Sequence, residues 1–316
     1  MNSIHKTGII GLGIMGLRML EHMDRHAHFA PVAFWDPSAE ACAKAAAMVP
    51  DAVIAGSAVE VIAASDLVYL ACPPAPRRAY ALAAADQGRG VFLEKPLGVD
   101  IGESRALVTR LAASDVPAAV NFTQAAGAPL ATITAAAEPI VGVDIVVTYP
   151  QWPRVWQADA DWLRFAAEGG YVREVISHFL FFSARLLGPL DLKWARADYP
   201  ADPKLCETHI AARVEAANGT PVSIFGAVGG AQPDRQELTI KGAARSWRVA
   251  EFFSLSTSDG GPWQDIPPPE GEPRAIALGG QLTEMHKAMQ GAPHLLATPA
   301  EALHIQELVE AMLTRP

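Results

Sequence analysis

The first third of the chain alternates between short apolar runs and longer, alanine-rich segments. Apolar runs bounded by Gly, Pro or Asp predict buried strands, and the segments between them are long enough to form helices. The predicted strands cover 7–10, 31–35, 52–55, 67–72, a run ending at 93, and 117–122, and the predicted helices cover 17–23, 38–48, 58–64, 77–85 and 102–113. Strands that alternate with helices indicate a doubly wound parallel α/β sheet.

After residue 122 the pattern changes to strands in series, several of which alternate apolar and polar residues. These strands are predicted over 140–149, 190–195, 209–215, 222–226, 236–240 and 245–249. A helix is predicted over 169–188, an exposed proline-rich loop over 262–273, and two final helices over 278–290 and 299–313. Strands in series predict a C-terminal α+β domain with a large, mostly antiparallel open sheet. We therefore expect domains over 1–122 and 123–316, with the two final helices as candidates to pack back on the first.

Composition excludes several classes of protein. Half of the 316 residues are apolar, the net charge is −9, and no basic run occurs, which argues against nucleic acid and anionic membrane as partners. The sequence has no apolar run of membrane-spanning length and no signal-peptide pattern, so we expect a cytoplasmic protein. Cys42, Cys72 and Cys206 are far apart and expected to be buried thiols, and the scattered histidines suggest no metal site.

A glycine motif follows the first predicted strand. Gly11, Gly13 and Gly16 are spaced as GxGxxG, with Ile14 and Met15 between the last two glycines, ahead of the predicted helix over 17–23. In this context the glycines allow a tight turn, a close approach of backbone to pyrophosphate, and helix–strand packing, while the helix N-terminus attracts phosphate. The motif therefore predicts a dinucleotide cofactor.

Asp36 ends the second predicted strand, 20 residues after Gly16. An acid at this position accepts hydrogen bonds from ribose hydroxyls and repels a 2′-phosphate, so NAD is favoured and NADP is the alternative. Asp before Pro37 is also an ordinary turn residue, which is the competing interpretation.

Polar residues and prolines end three further predicted strands. The carboxyl ends of parallel strands lie at one edge of the sheet, where open α/β sheets bind their ligands. A charge after a strand is often only part of a solvated loop, so this prediction depends on the glycine motif. The expected cofactor contacts at this edge are Cys72, Pro73, Pro74, Glu94, Lys95 and Asn121.

A second cluster lies in the predicted helix that begins after Gly169-Gly170. Glu174 and His178 are four positions apart and share a helix face. A carboxylate beside an imidazole suits general acid–base chemistry, although surface ion pairs at this spacing are common. Trp152, Trp156 and Trp162 precede the helix as either core residues or an aromatic wall for a sugar ring. The candidate substrate contacts are Gln124, Arg154, Trp156 and Trp162.

Together these motifs resemble the Gfo/Idh/MocA family of oxidoreductases. The resemblance rests on Gly11–Gly16, Ala71-Cys72-Pro73-Pro74, Glu94-Lys95-Pro96-Leu97, and Gly169-Gly170 followed by Glu174 and His178. It implies an N-terminal Rossmann domain, a C-terminal domain on a large open sheet, a sugar, polyol or related ring bound between them, and a homodimer or homotetramer formed through the open sheet.

The resemblance also implies roles for single residues. Lys95 corresponds to the family's catalytic lysine and His178 to its acid–base histidine, whereas Glu174 stands where the family usually has Asp. Arg78 stands where a His is frequent, and Thr123-Gln124-Ala125 lacks a usual basic residue.

We therefore predict an NAD(P)-dependent dehydrogenase that transfers a hydride between nicotinamide and a carbon bearing a hydroxyl group. His178 would take the hydroxyl proton while Lys95 hydrogen-bonds the same oxygen. The alternatives are an imine or enone reductase on the same fold and a cofactor-binding regulator without chemistry.

Overall fold

The computed structural model describes residues 3–314, which divide into two compact units. The first unit extends to Ala125 and regains the chain over Ala275–Leu303, and the second comprises Ala126–Arg274 and the chain from His304 onward. The predicted first domain ends at residue 122, and the returning segment contains the predicted helix over 278–290, one of the two candidates to pack back on it. The first unit is therefore built from two separate stretches of sequence.

A six-stranded parallel sheet forms the centre of the first unit, in the order β3-β2-β1-β4-β5-β6. Its strands are β1 His5–Ile10, β2 Phe29–Trp35, β3 Val53–Ile54, β4 Leu67–Leu70, β5 Gly90–Leu93 and β6 Ala118–Val120. The helices between them are α1 Ile14–Arg25, α2 Ala39–Met48, α3 Ala58–Ala64, α4 Pro74–Asp86 and α5 Ile101–Ala112. This order is that of the doubly wound nucleotide-binding fold and confirms the predicted parallel sheet.

Local sequence explains where these helices begin. Ser38, Ser57 and Asp100 each accept a hydrogen bond from a backbone N–H in the first turn of α2, α3 and α5. Helix α4 begins at Pro74, three residues earlier than predicted, because proline needs no N–H partner in the first turn of a helix. Strand β4 correspondingly ends at Leu70 instead of Cys72.

The returning segment contributes to the core of the first unit. Helix α8, Pro273–Met289, begins five residues earlier than predicted and buries Leu278, Leu282 and Met285. These side chains belong to the same apolar cluster as Ile9 and Phe92 of the sheet. Burial of each such side chain contributes roughly 1.5–3 kcal/mol, so α8 is part of the folded core of this unit.

An eight-stranded sheet forms the second unit, in the order β14-β13-β12-β11-β7-β10-β9-β8. Only the β7–β10 pair is parallel, which confirms the predicted mostly antiparallel sheet. The strands are β7 Ile140–Tyr149, β8 Leu190–Asp198, β9 His209–Ala216, β10 Pro221–Val228, β11 Arg235–Gly242, β12 Ser246–Ala250, β13 Ser254–Ser258 and β14 Gln264–Ile266. Burial alternates along β9 and β10, as expected for a sheet with one covered face.

Several elements of the second unit differ from the predictions. Helix α6, Ala128–Ala136, and strand β13 were not predicted, and β14 lies inside the predicted proline-rich loop. Helix α9, Pro299–Leu313, has the predicted bounds.

The predicted helix over 169–188 begins with a π-helical turn, Val172–Ile176, and continues as α7, Ser177–Leu187. The N–H of Ser177 bonds to the carbonyl of Val172, five residues earlier. Turns of this kind are rare and frequently occur at functional sites.

Two further expectations concern the chain as a whole. All three cysteines are buried and free, as predicted. Across residues 3–314, no helix combines the length and apolarity needed to cross a membrane.

Candidate active site

The glycine turn between β1 and α1 requires glycine at two positions for packing. Gly11 has a φ of +93°, and a Cβ there would lie 2.4 Å from the backbone nitrogen of Cys72. A Cβ at Gly16 would lie 2.0 Å from the carbonyl oxygen of Gly11. Neither position can accept a side chain without moving the backbone, so these glycines set the path of the turn.

Gly13 differs from these two glycines. A Cβ at Gly13 would meet no heavy atom of the described chain within 4 Å, so the fold itself does not require glycine there. Within residues 3–314, α1 has neither a capping side chain nor an acidic residue in its first turn, which begins with Ile14 and Met15. Its unpaired N–H groups and positive dipole end are suited to an anion, and the open space at Gly13 suits a close-lying diphosphate.

Asp36 lies beside this turn. Its carboxylate accepts hydrogen bonds from the backbone N–H of Leu12 and of Ser38, both at 2.8 Å. Each oxygen retains a lone pair for a further donor, so these bonds are compatible with contacts to ribose hydroxyls. The bond to Ser38 is the turn role considered from the sequence, and the bond to Leu12 connects Asp36 to the glycine motif.

Glu94 and Lys95 follow β5 and are only 7% and 8% exposed. Glu94 Oε1 accepts hydrogen bonds from Asn121 Nδ2 at 2.7 Å and from the Tyr69 hydroxyl. Burial raises the pKa of the Glu94 carboxyl and that of the Tyr69 phenol. Glu94 therefore joins the ends of β4, β5 and β6, and its predicted contact with the cofactor stays a prediction.

Arg77 was not predicted as a functional residue, yet it holds the backbone around Lys95. It is 2% exposed and donates to the carbonyl oxygens of Glu94, at 2.8 Å, of Pro96 and of Cys72. Two of these carbonyls flank Lys95 directly. The signal in the sequence was periodicity, because Arg77 lies on the buried stripe of α4 with Pro74, Ala81 and Ala84.

The other predicted residues of the first unit lie at the same edge of the sheet. Asn121 and Gln124 follow β6 and are 1% and 3% exposed. Cys72 is buried after β4, and burial raises the pKa of its thiol. The edge that carries the glycine turn therefore also carries these buried polar groups.

In the second unit, Glu174 lies in the π-helical turn and His178 in the first turn of α7. His178 is 7% exposed, and its ring packs edge-on against Phe252 with centroids 5.4 Å apart. Phe252 has a φ of +68° and its neighbour Glu251 a φ of +50°, a left-handed conformation that L-residues rarely adopt. Such strain concentrates at functional sites, and here it places an aromatic ring against the predicted acid–base histidine.

The helix start before Glu174 is fixed by Glu207, another residue that the sequence did not reveal. Glu207 is 2% exposed and accepts a hydrogen bond from the Val172 N–H at 2.9 Å. Burial raises the pKa of Glu207 to about 7. Gly170 has a φ of +103°, and a Cβ there would lie 2.5 Å from Glu207 Oε2, which explains the second glycine of the pair.

Arg173 secures the same helix start from another side. Its guanidinium donates to both carboxylate oxygens of Glu310 at 2.6 and 2.7 Å, and to the carbonyls of Ala166 and Gly169. Gly169 is required as well, since a Cβ there would lie 2.3 Å from the carbonyl oxygen of Leu163. The close backbone approach predicted from the Gly-Gly pair is therefore confirmed.

The aromatic residues before this helix surround a cation. The Arg154 Cζ lies 4.5 Å from the ring centroid of Trp156, 5.2 Å from that of Tyr149 and 5.7 Å from that of Trp152. Trp152 Nε1 donates to the carbonyl of Leu163, whereas Trp156 is 46% exposed. Trp162 is half-buried in a neighbouring 3₁₀ turn, Asp161–Arg164.

Four histidines from three separate parts of the sequence gather at the opposite end of the first sheet. His5 Nε2 and His286 Nδ1 are 3.0 Å apart, His28 stacks on His286 at 3.7 Å, and the rings of His26 and His28 are 5.6 Å apart. The positions of these histidines in the sequence gave no indication of this cluster. Among the described residues, no group of three or more His, Cys, Asp or Glu is arranged to hold a metal ion.

Comparison with known proteins finds a family match in the first region. Residues 5–122 match the family model GFO_IDH_MocA, described as "Oxidoreductase family, NAD-binding Rossmann fold". This match lies entirely within the N-terminal region. The matched range contains the glycine turn, Asp36, Lys95 and Asn121.

A segment of 107 residues is 40% identical to inositol 2-dehydrogenase of Cereibacter sphaeroides (strain ATCC 17029 / ATH 2.4.9). The match covers 33% of this chain and 31% of that protein, so it spans about a third of the curated relative's length.

Two solved structures share the fold over almost the whole chain. UDP-N-acetylglucosamine 3-dehydrogenase GnnA from Acidithiobacillus ferrooxidans is 18% identical, with a TM-score of 0.82 and coverage of 98% of this chain and 97% of that one. An oxidoreductase from Agrobacterium radiobacter in complex with NAD+, L-tartaric acid and magnesium is 15% identical, with a TM-score of 0.83 and coverage of 98% and 95%. Glu174 and His178 lie outside the range matched by the GFO_IDH_MocA model, in the part where the likeness is one of fold.

Proposed function

We propose that the protein is an NAD-dependent dehydrogenase that oxidises a hydroxyl-bearing carbon of a sugar, a polyol or a related ring, or reduces the corresponding ketone. The observation that carries this proposal is the buried Lys95 at the edge of the sheet that also bears the glycine turn. Burying an ammonium is costly, and its retention at a ligand-binding edge favours a role in chemistry.

Each residue of the candidate site has a proposed role that follows from its chemistry. Bound NAD supplies the hydride acceptor. Lys95 donates a hydrogen bond to the substrate oxygen and stabilises its developing negative charge. His178 accepts the hydroxyl proton, and Glu174 orients His178 or binds a neighbouring hydroxyl. Arg77 and Glu207 act through the backbone, by fixing the segments that carry Lys95 and Glu174.

The names of similar proteins support the substrate class. Inositol 2-dehydrogenase is named for a polyol, and UDP-N-acetylglucosamine 3-dehydrogenase for a sugar nucleotide. Both names describe oxidation at a ring carbon. We extend this class of reaction to the present chain as part of the proposal.

NAD is preferred over NADP in this proposal because Asp36 is already fixed beside the glycine turn. A carboxylate held by two backbone N–H groups cannot easily turn away from a 2′-phosphate. Dissociation constants for both cofactors, measured with wild type and Asp36→Ala, test this point. We expect wild type to prefer NAD and the variant to lose that preference; a wild type that prefers NADP would contradict the assignment.

A self-assembled homodimer or homotetramer is also proposed. Trp194 of β8 and Phe225 of β10 are 56% and 49% exposed on the second sheet, and large exposed aromatics are typical of interfaces. Light scattering coupled to size exclusion, with Phe225→Ser as the comparison, would show a smaller species for the variant if this sheet is the interface.

The central test is Lys95→Ala, assayed with a panel of sugars and polyols. Loss of a positioned electrostatic group should lower kcat by about 10²–10⁴-fold with cofactor affinity changed far less. Lys44→Ala is the matched control, because Lys44 lies on the surface of α2 in an ion pair with Glu40. Near-normal turnover by Lys95→Ala would refute the proposed role of Lys95.

A further inference from the structure

Arg154 of the second unit is a cation surrounded by aromatic rings. Its Nε donates to Gln157 Oε1 at 2.9 Å, and Gln157 is 2% exposed, so one side of the guanidinium is anchored to a buried group. The rings of Trp156, Tyr149 and Trp152 lie around it, and they attract the cation without neutralising its charge. Within the described residues, its terminal nitrogens form no ion pair with a carboxylate. The guanidinium is therefore held in place by Gln157 and the rings, and its positive charge and terminal N–H groups are available to bind an anion.

Tyr149, at the end of β7, provides a second observation. Its side chain is fully buried, and in the part of the chain that is described its hydroxyl has no hydrogen-bond partner. A buried polar group left unpaired is costly, and such a group in a native fold calls for a ligand or water. Burial raises the pKa of this phenol, so it stays a proton donor at neutral pH.

The Tyr149 hydroxyl also lies near the predicted chemistry. The charges of Arg154 and Glu174 both act on it, together with that of Asp234. The Tyr149 ring packs edge-on against Tyr171, which opens the helix that carries Glu174. Arg154, Tyr149 and Glu174 therefore belong to one neighbourhood of the second unit.

We propose that Arg154 and Tyr149 form an anion subsite for the substrate, so that the substrate is an acidic sugar or acidic polyol carrying a carboxylate or phosphoryl group. This inference rests on the proposed dehydrogenase function. The planar guanidinium presents paired donors that match the two oxygens of either group, and the Tyr149 hydroxyl adds a third donor. Glu174 accepts hydrogen bonds from hydroxyls, so donors and acceptor divide between the two ends of such a ligand.

The competing explanation is that Arg154 only holds the aromatic rings together. That role predicts a loss of stability on substitution, with the same loss of activity for every substrate. An anion subsite predicts that the loss depends on the charge of the substrate. The comparison of charged and neutral substrates therefore separates the two roles.

The experiment uses matched substrate pairs with the enzyme saturated in NAD: D-galacturonate with D-galactose, and D-glucuronate with D-glucose. Glucose 6-phosphate and UDP-glucose form the phosphoryl arm. For wild type, Arg154→Met, Arg154→Lys and Tyr149→Phe, both kcat/KM and the shift in melting temperature caused by each compound are measured.

We expect wild type to favour one or more acidic compounds over the neutral sugars. Arg154→Met should lower kcat/KM for the preferred acid by about 10–100-fold, the usual effect of losing a hydrogen bond to a charged group, and change the neutral sugar far less. Arg154→Lys keeps the positive charge but lacks the paired donors of the guanidinium, so its kcat/KM for the preferred acid should lie between those of wild type and Arg154→Met. Tyr149→Phe should show a smaller loss than Arg154→Met. The arm with the larger effect identifies a carboxylate or a phosphoryl group.

Each other outcome decides something different. A preference for the neutral sugars, or an equal loss for both members of a pair in Arg154→Met, would overturn the anion subsite and leave the dehydrogenase intact. Acidic compounds that raise the melting temperature only when Arg154 is present, without any turnover, would support the subsite and refute the dehydrogenase. No turnover and no melting shift with any compound would overturn both.

Discussion

The two segments that carry the proposed catalytic groups are held in place by buried charges of opposite sign. In the first unit, the cation Arg77 donates to carbonyl oxygens on either side of Lys95. In the second unit, the anion Glu207 accepts from the Val172 N–H at the start of the helix that carries Glu174 and His178. Strands end with exposed carbonyls and helices begin with exposed N–H groups, so the first segment needs a buried donor and the second a buried acceptor.

The difference matters because the two charges respond differently to pH. An arginine keeps its charge at every pH in which proteins fold, so the Lys95 segment has a permanent support. The pKa of Glu207 is raised to about 7 by burial, so its charge changes in the physiological range. We therefore expect the stability of the second unit to depend more strongly on pH near neutrality than that of the Lys95 segment.

The largest predicted effect comes from removing the permanent support. Arg77→Met leaves three carbonyl oxygens without their buried donor, and we expect a loss of about 3–5 kcal/mol in the free energy of unfolding. Denaturant unfolding measures it. The matched control is Arg78→Met, one residue away and half-buried, for which we expect a much smaller loss. Equal losses for the two variants would mean that Arg77 is not a specific support.

A smaller effect is expected at Glu207. Glu207→Ala leaves the buried Val172 N–H without an acceptor and should cost about 1–3 kcal/mol in the free energy of unfolding. Glu207→Gln keeps an acceptor oxygen and removes the charge, so it should cost less.

The pH dependence of these variants sharpens the comparison. Because the pKa of Glu207 is raised in the folded state, its contribution to stability is fully present below the unfolded pKa of about 4.5 and is lost as the pH rises through about 7. Glu207→Gln should therefore gain stability relative to wild type between pH 5 and pH 8, as measured by unfolding at several pH values. A constant difference across this range would show that Glu207 does not titrate there.

The smallest predicted effect is in the histidine cluster. Its pH dependence is opposite to that of Glu207, because here stability is lost as the pH falls. Burial lowers the pKa of His5, of His26 and of His286, with the neighbouring histidines adding repulsion and Asp66 opposing it at His5. Unfolded histidines take up protons first as the pH falls through about 6.5, so these groups reduce stability on the acidic side. His286→Gln should therefore lose less stability than wild type between pH 7 and pH 5, as measured by unfolding at several pH values. Parallel curves for the two proteins would contradict this.

The fold could be predicted from the sequence because its main signals are periodic. Apolar runs of strand length and helical spacing located most elements of the first sheet, and the bounds of β7 and α9 were predicted correctly. Strand β13 was missed because Ser254-Leu255-Ser256-Thr257-Ser258 has a single large apolar residue, and only its pairing with β12 makes it a strand.

The supports of the candidate site were harder to find, because they act over long separations in the chain. Glu207 is 35 positions from the Val172 N–H that donates to it, and Arg173 is 137 positions from Glu310. Patterns of neighbouring residues in the sequence do not indicate contacts over such separations. The π-helical turn depends on tertiary packing at Gly169 and Gly170, so the Gly-Gly pair indicated a close approach without indicating its partner.

The return of the chain into the first unit has a consequence for protein engineering. Helix α8 supplies Leu278, Leu282 and Met285 to a core that otherwise ends at residue 125. A chimera that exchanges the second unit between relatives therefore cannot be made with one junction. It needs replacements for residues 126–274 and for the chain from 304 onward, with α8 kept from the same parent as the first sheet, so that recombination exchanges the second unit in two pieces.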